Sequence, residues 1–247
     1  MKRIVLLLTF GMIIPTTLSG VEVFYEQGFE DGAADWAFQG MAISDKKAHS
    51  GNHSILSTGK GVGVPSARVP LDLPKKDRID DAIWFYVDGT LRGDPHLHHI
   101  HVWTNDVWGW VGPHIGIRAD NLMVYAINGF PQPAKPVNLE PRTWYRLKTE
   151  INLKNQTFDC YVEAEGEEPV IVFEDTSFIK NRGGALGDKM EGGGHYFRQV
   201  GKWESPGADV YFDDLQIADE ILFLKDALQI QPGSNLTTIW GEIKTAS

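Results

Sequence analysis

The sequence predicts an all-β fold, and three observations carry that prediction. Short runs rich in Val, Ile, Tyr, Phe and Trp recur along the chain, most are bounded by Gly, Pro, Asn or Asp, and no internal segment of ten or more residues keeps a helical period. Taken in order, the candidate strands are 82–88 (AIWFYVD), 99–104 (HIHVWT), 114–119 (HIGIRA), 122–127 (LMVYAI), 144–153 (WYRLKTEINL), 157–164 (TFDCYVEA), 169–174 (PVIVFE), 195–201 (HYFRQVG) and 209–217 (DVYFDDLQI). Asp120-Asn121 and Lys154-Asn155 read as tight turns joining neighbouring strands of a meander. Segment 128–142 carries four prolines and segment 181–194 six glycines, which makes both irregular excursions over one edge.

The flanks follow other rules. Lys2 and Arg3 precede an apolar run, Ile4 to Ile14, then Pro15 and small residues, the layout of a secretory signal peptide over residues 1–20. This predicts a secreted protein, periplasmic or extracellular, with one domain over 21–218. After signal cleavage no membrane span is expected, because no later stretch approaches the roughly 20 apolar residues a helix needs to cross a bilayer. Residues 219–247 form an extension: ADEILFLKDAL reads as a short helix or a last strand, and Leu236, Ile239, Trp240 and Ile243 fall on one helical face. That face would dock on the body or on a protein partner. A net charge of −10 argues against nucleic acid, whose phosphates require a basic surface. Cys160 is the only cysteine, so no intramolecular disulfide forms, and its place in an alternating strand makes it a buried apolar residue rather than a nucleophile.

Strand geometry sends successive side chains to opposite faces, so each run can be sorted by parity. Ile83, Phe85 and Val87 form a core set, leaving Trp84 and Tyr86 on the other face. Ile100 and Val102 leave His99, His101 and Trp103; Phe158, Cys160 and Val162 leave Asp159 and Tyr161; Phe197 leaves Tyr196 and Arg198. The non-core faces therefore combine aromatic rings with hydrogen-bonding groups. Such a surface suits a sugar, whose C–H patches lie on rings and whose hydroxyls meet polar side chains. A satellite core under a loop accounts for the same pattern.

The stretch DPHLHHIHVWTNDVWGWVGPH (94–114) holds five of the eight histidines and three of the eight tryptophans. On the glycan reading it supplies His99, His101, Trp103, Trp108 and Trp110 to the binding surface. On a metal reading, His99 and His101 at i, i+2 would share one zinc, with Asp106 or His114 as the nearest third ligand. His96 and His98 have the same spacing but fall in a Gly-Pro-containing stretch read as a loop.

GFEDGAADW (28–36), HSGNHSIL (49–56), WYRLKTEINLKNQTFDCYVEAEG (144–166) and VYFDDLQI (210–217) resemble the concanavalin A-like lectin/glucanase jelly roll. The likeness is to LamG-like domains and carbohydrate-binding modules of secreted bacterial proteins, and it covers 24 to about 218. The resemblance implies a two-sheet antiparallel sandwich that binds polysaccharide without catalysis and calls for no organic cofactor. It also implies a structural calcium between the chain ends, held by Glu30, a backbone oxygen near Ser50, and Asp213 or Asp214. Laminarinase-type relatives carry a Glu-x-Asp-x-x-Glu strand, which is absent here. Alginate-lyase-like relatives use a Gln-Ile-His strand and a late Tyr-Phe-Lys strand, to which His99-Ile100-His101 and Tyr196-Phe197-Arg198 are similar. A polysaccharide lyase would then work through His101, Tyr196 and Arg198, although His99 replaces the glutamine and Trp203 falls near the place of the family's catalytic tyrosine. A third reading is an exported structural or adhesive domain that binds protein.

Overall fold

Alternation in the long strands sets the architecture, and a computed structural model shows how. It describes residues 21–57, 66–71, 76–89, 96–98, 102–103, 110–113, 115–117, 124–126, 137–181, 193–200, 208–224 and 226. In chain order the strands are β1 (Val23–Gln27), β2 (Ala37–Gln39), β3 (Met41–Ser44), β4 (Ser54–Ser57), β5 (Ser66–Leu71), β6 (Arg78–Asp88), β7 (His96–His98), β8 (Val102–Trp103) and β9 (Trp110–Gly112). They continue with β10 (Ile115–Ile117), β11 (Val124–Ala126), β12 (Trp144–Asn152), β13 (Thr157–Glu163), β14 (Val170–Ser177), β15 (Ile179–Asn181), β16 (Gly193–Val200) and β17 (Asp209–Ala218).

An eight-stranded antiparallel sheet runs β14-β13-β12-β6-β17-β4-β3, with β1 also paired to β17. A four-stranded sheet runs β2-β5-β16-β7, and β15-β9-β8 and β10-β11 form smaller ones. Between the layers lies one apolar core. Ile79, Ile83, Phe85 and Val87 of β6, Leu147 and Ile151 of β12, and Phe158, Cys160 and Val162 of β13 enter it from the large sheet. Ala67, Val69 and Leu71 of β5 enter from the other side, with Phe38 packed against them. The protein is thus a β-sandwich jelly roll, as the sequence predicts. At about 25 cal/mol per Å² of apolar surface removed from water, this two-sided burial is the main force that aligns the layers.

Strand β17 shows how sequence dictates an irregularity. Val210 and Phe212 are core, and so are Leu215 and Ile217, a change of parity within VYFDDLQI. The chain accommodates it with a bulge: the β17–β6 register shifts between Asp213 and Gln216, and Asp214 adopts φ 44°. At the same point the outer neighbour of β17 changes, from β4 along Val210–Phe212 to β1 along Leu215–Ala218.

After β17 the chain crosses the outer face of the large sheet as a strap. Ile221 N donates to Asp80 Oδ2 at 3.0 Å, Leu224 N donates to Glu163 Oε1 at 2.9 Å, and Arg146 Nη2 donates to the Leu222 carbonyl at 2.8 Å. Ile221 packs on Ala82 and Ala218, and the Phe223 ring meets Tyr161 edge-on at 4.9 Å. The first residues of the extension therefore pack on the body of the domain. Residues 227–247, including the expected helical face at Leu236, Ile239, Trp240 and Ile243, lie outside the described residues, as do residues 1–20, where a signal peptide is expected.

Several elements differ from expectation. Strands β1 to β5, of three to six residues each, are too short for alternation to announce them. Of the expected strand 99–104 the described residues are Val102–Trp103, which form β8, whereas His96–His98, expected in a loop, form β7 by pairing with β16. Thus β16 supplies the ladder that the local sequence gives no sign of. The turn at Lys154-Asn155 is present, with Asn155 N donating to Asn152 Oδ1 at 2.9 Å and Gln156 at φ 58°.

Candidate functional site

Register places the candidate surface on the four-stranded sheet. In β5, Ala67 and Val69 are buried in the core while Arg68 between them is exposed. Residues directly opposite one another in an antiparallel ladder share a face. Arg68 stands opposite Tyr196 of β16 and Ala37 of β2; Ser66 stands opposite Arg198 and Gln39; Arg198 in turn stands opposite His98 of β7. Positions 37, 39, 66, 68, 196, 198 and 98 are thus in register across four strands, at the parity of the exposed Arg68. Phe197 stands opposite Ala67.

The aromatic strands lie next to this face. Strand β8 runs beside β16, and Trp103 of β8 stands opposite Trp110 of β9. Hence Tyr196, Arg198 and Trp103, chosen from parity, and Trp110, chosen from the histidine- and tryptophan-rich stretch, fall on neighbouring strands. His98, which sequence reasoning assigned to a loop, joins them. Its signal was available in the i, i+2 spacing of His96 and His98, obscured by the flanking Pro95 and Gly93. His99, His101 and Trp108 lie outside the described residues.

The large sheet corrects two expected ligand contacts. Trp84 and Tyr86 do occupy the non-core face of β6, yet both are buried, at 4% and 8% exposure. The loop of residues 45–53 covers them: the His49 ring stacks on Trp84 with centroids 3.6 Å apart, and Lys47 Nζ sits 5.0 Å above the Tyr86 ring. Tyr86 also packs with Leu56, Tyr211 and Trp144 in a cluster of its own. Tyr161 is half-buried, with its ring edge-on to Phe223 of the strap, and burial first, then Glu150 and Asp159, push its phenol up to about 12. Trp84 and Tyr86, beneath the loop, are not available to a ligand.

The same face buries charge in pairs. Lys148, 2% exposed, lies 3.2 Å from Asp80 Oδ2 and 2.5 Å from Glu150 Oε1. Arg146 Nη2 lies 2.7 Å from Glu163 Oε2, while the exposed Arg78 reaches in at the edge, its Nη2 2.5 Å from Glu150 Oε2. Burial lowers the Arg146 guanidinium and raises the Asp80 carboxyl, each opposed by its ionic partner. Removal from water makes such pairs weak sources of stability but makes an isolated member strongly destabilising.

The residues expected to hold calcium are arranged as latches for the loop instead. Glu30 Oε1 accepts from Asn52 N and His53 N, both at 2.9 Å. Asp213 Oδ2 accepts from His49 N at 2.8 Å and Ser50 N at 3.2 Å, and Asp214 takes Ser50 Oγ and His49 Nδ1, each at 2.7 Å. Calcium requires six to eight oxygens turned inward. Here the carboxylate oxygens face N–H and O–H donors, and no group of three or more His, Cys, Asp or Glu is arranged to hold a metal among the described residues. This donor set does not fit the ion. The bulge explains why two consecutive aspartates reach one loop: Asp213 projects from the outer face and the positive φ of Asp214 turns its carboxylate to the same side. Burial first, and the charge of Asp214 second, push the Asp213 carboxyl up to about 8. Cys160 is fully buried and its thiol raised by burial, as an inert core residue should be.

No family model matches the sequence, and no curated protein matches it. Solved structures do share the fold. The catalytic domain of the glycoside hydrolase family 131 protein from Coprinopsis cinerea superposes with a TM-score of 0.50 at 12% identity, over 82% of this chain and 97% of that one. A protein of unknown function from Shewanella oneidensis MR-1 gives 0.50 at 11% identity, over 86% and 97%. The binding domain of botulinum neurotoxin DC, solved in complex with rat synaptotagmin II, gives 0.50 at 11% identity, over 79% of this chain and 45% of that one. At these identities the likeness is one of fold. No helix among the described residues is long and apolar enough to cross a membrane.

Proposed function

We propose that this is an exported, non-catalytic polysaccharide-binding domain whose ligand lies along the outer face of the four-stranded sheet and the adjoining β8–β9 strands. The observation that carries the reading is the register of three strands, which aligns Arg68, Tyr196, Arg198 and His98 on one face. Aromatic and hydrogen-bonding residues in a row offer stacking for sugar rings and donors for hydroxyls. Retention of the protein in native gels cast with a panel of polysaccharides tests it. Tyr196→Ala is expected to abolish retention while leaving the far-ultraviolet spectrum intact; retention on none of the panel defeats the proposal.

A second reading, a lyase acting through His101 and Tyr196 with Arg198, draws support from the pairing of β16 with the histidine-bearing β7. β-Elimination from a uronate polymer leaves an unsaturated product that absorbs in the ultraviolet. Absorbance that grows with time and disappears in the Tyr196→Phe variant would favour catalysis over simple binding.

A further inference from the structure

We infer that the polysaccharide recognised by the four-stranded sheet is acidic, a polymer bearing carboxylate or sulfate groups. This rests on the binding reading above and adds the ligand's charge. The four strands β2, β5, β16 and β7 contain two arginines, Arg68 and Arg198, three histidines, His96, His98 and His195, and no Asp or Glu. The whole chain carries a net charge of −10, so a sheet without one acid is a marked local departure.

The register sharpens this contrast. Arg68 is opposite Tyr196 and Arg198 is opposite Ser66, so the two arginines occupy diagonal positions on adjacent strands, about 7–8 Å apart at the backbone. Like charges so placed repel, and within these strands no carboxylate relieves them. On the large sheet the bases are treated differently: Arg78, Arg146 and Lys148 each lie within ion-pair distance of Asp80, Glu150 or Glu163. A neutral glycan needs hydrogen-bonding groups but gains nothing from two neighbouring guanidinium groups. An anionic glycan does, since guanidinium forks match carboxylate and sulfate oxygens two at a time. Tyr196, opposite Arg68 and two residues before Arg198, is the aromatic position beside them.

The excess of negative charge elsewhere has a consequence for selectivity. At low salt it repels polyanions at long range, so attraction acts only on a chain that reaches the strip itself. A slender saccharide chain meets that requirement better than a stiff, densely charged duplex.

The test is isothermal titration of the full mature chain with polygalacturonate, with its fully methyl-esterified form, with dextran sulfate and dextran, and with a single-stranded oligonucleotide. The esterified polymer keeps the sugar backbone and loses the charge. Binding to polygalacturonate or to dextran sulfate at least about tenfold tighter than to its neutral counterpart, weakening about tenfold between roughly 50 and 300 mM salt, is expected. Which of the two polymers binds more tightly identifies carboxylate or sulfate as the preferred group. Arg68→Gln and Arg198→Gln, made separately, should each reduce acidic binding about tenfold, and Arg68→Lys should recover part of it. Equal affinity for charged and neutral forms, or indifference to both arginine variants, overturns the inference while leaving polysaccharide binding in place. Binding to no saccharide overturns both readings. Oligonucleotide binding as tight as that of the acidic polymers shows an unselective polyanion surface and also overturns it.

Discussion

On the eight-stranded sheet, twelve acidic residues and three bases lie in the strands; all three bases are ion-paired, and two of them, Arg146 and Lys148, are buried. On the four-stranded sheet there are two arginines and three histidines without an acid, and Arg68 is exposed. The two layers share one core and one alternation rule, yet their outer faces have opposite chemistry. A charge that has lost its water needs a fixed partner inside the protein, while a charge left in water can take its partner from a ligand. Covering therefore decides whether a polar, aromatic face serves the fold or a binding reaction.

Breaking the covered face should have the largest effect. Arg146→Met leaves Glu163 buried without its guanidinium and strips the strap of one anchor, for an expected loss of about 3–5 kcal/mol in denaturant unfolding. Trp84→Ala should lose a similar amount, about 3–5 kcal/mol, since it removes the platform on which His49 stacks. Arg68→Ala on the other sheet should stay within about 0.5 kcal/mol of the parent. A Trp84→Ala protein that unfolds like the parent but no longer binds polysaccharide would return that residue to the binding surface and erase the distinction.

A smaller effect is expected at the loop that makes the cover. Gly51 has φ +65°, and a Cβ there would run into the Glu30 carboxylate that holds Asn52 and His53. Gly51→Ala should therefore lower stability by about 1–3 kcal/mol and raise the proteolytic sensitivity of residues 45–53. Glycan affinity should remain that of the parent, because the loop covers the other sheet.

The most modest effect concerns pH. The Asp213 carboxyl is raised from its ordinary 3.8 to about 8, so the folded protein retains a proton that the unfolded chain has released. That contribution to stability is complete below about pH 4 and is lost as pH rises through about 8. The melting temperature of the parent should decline from pH 6 toward pH 9, for roughly the reason any proton-linked fold does, whereas Asp213→Asn should show a flatter profile. Parallel profiles would mean that Asp213 is ionised in the fold and that the N–H donors of His49, Ser50 and Asp214 outweigh its burial.

Much of the sandwich was legible in the chain because a strand has a period of two. Ile83, Phe85, Val87, Phe158, Cys160 and Val162 lie in the core as parity requires. The irregularity at Asp213-Asp214 is written in VYFDDLQI as well, where the core positions change from even to odd. The assignment of His96 and His98 to a loop failed for a different reason. Three residues between Pro95 and the following chain carry no alternation to read, and their strand character comes from β16, about a hundred residues away in sequence.

By itself, then, the sequence determined the all-β class, the core set and which residues face away from that core, because side-chain direction along a strand is a local, steric property. Only the tertiary structure decided that Trp84 and Tyr86 lie under cover, and Tyr161 partly so, while Arg68 meets water. The covering elements, His49 and Phe223, reach those rings from about 35 and 60 residues away along the chain. A face is chosen by the neighbouring peptide units; its exposure is chosen by whichever distant segment gains enough buried area and hydrogen bonding to outweigh the entropy of lying down on it.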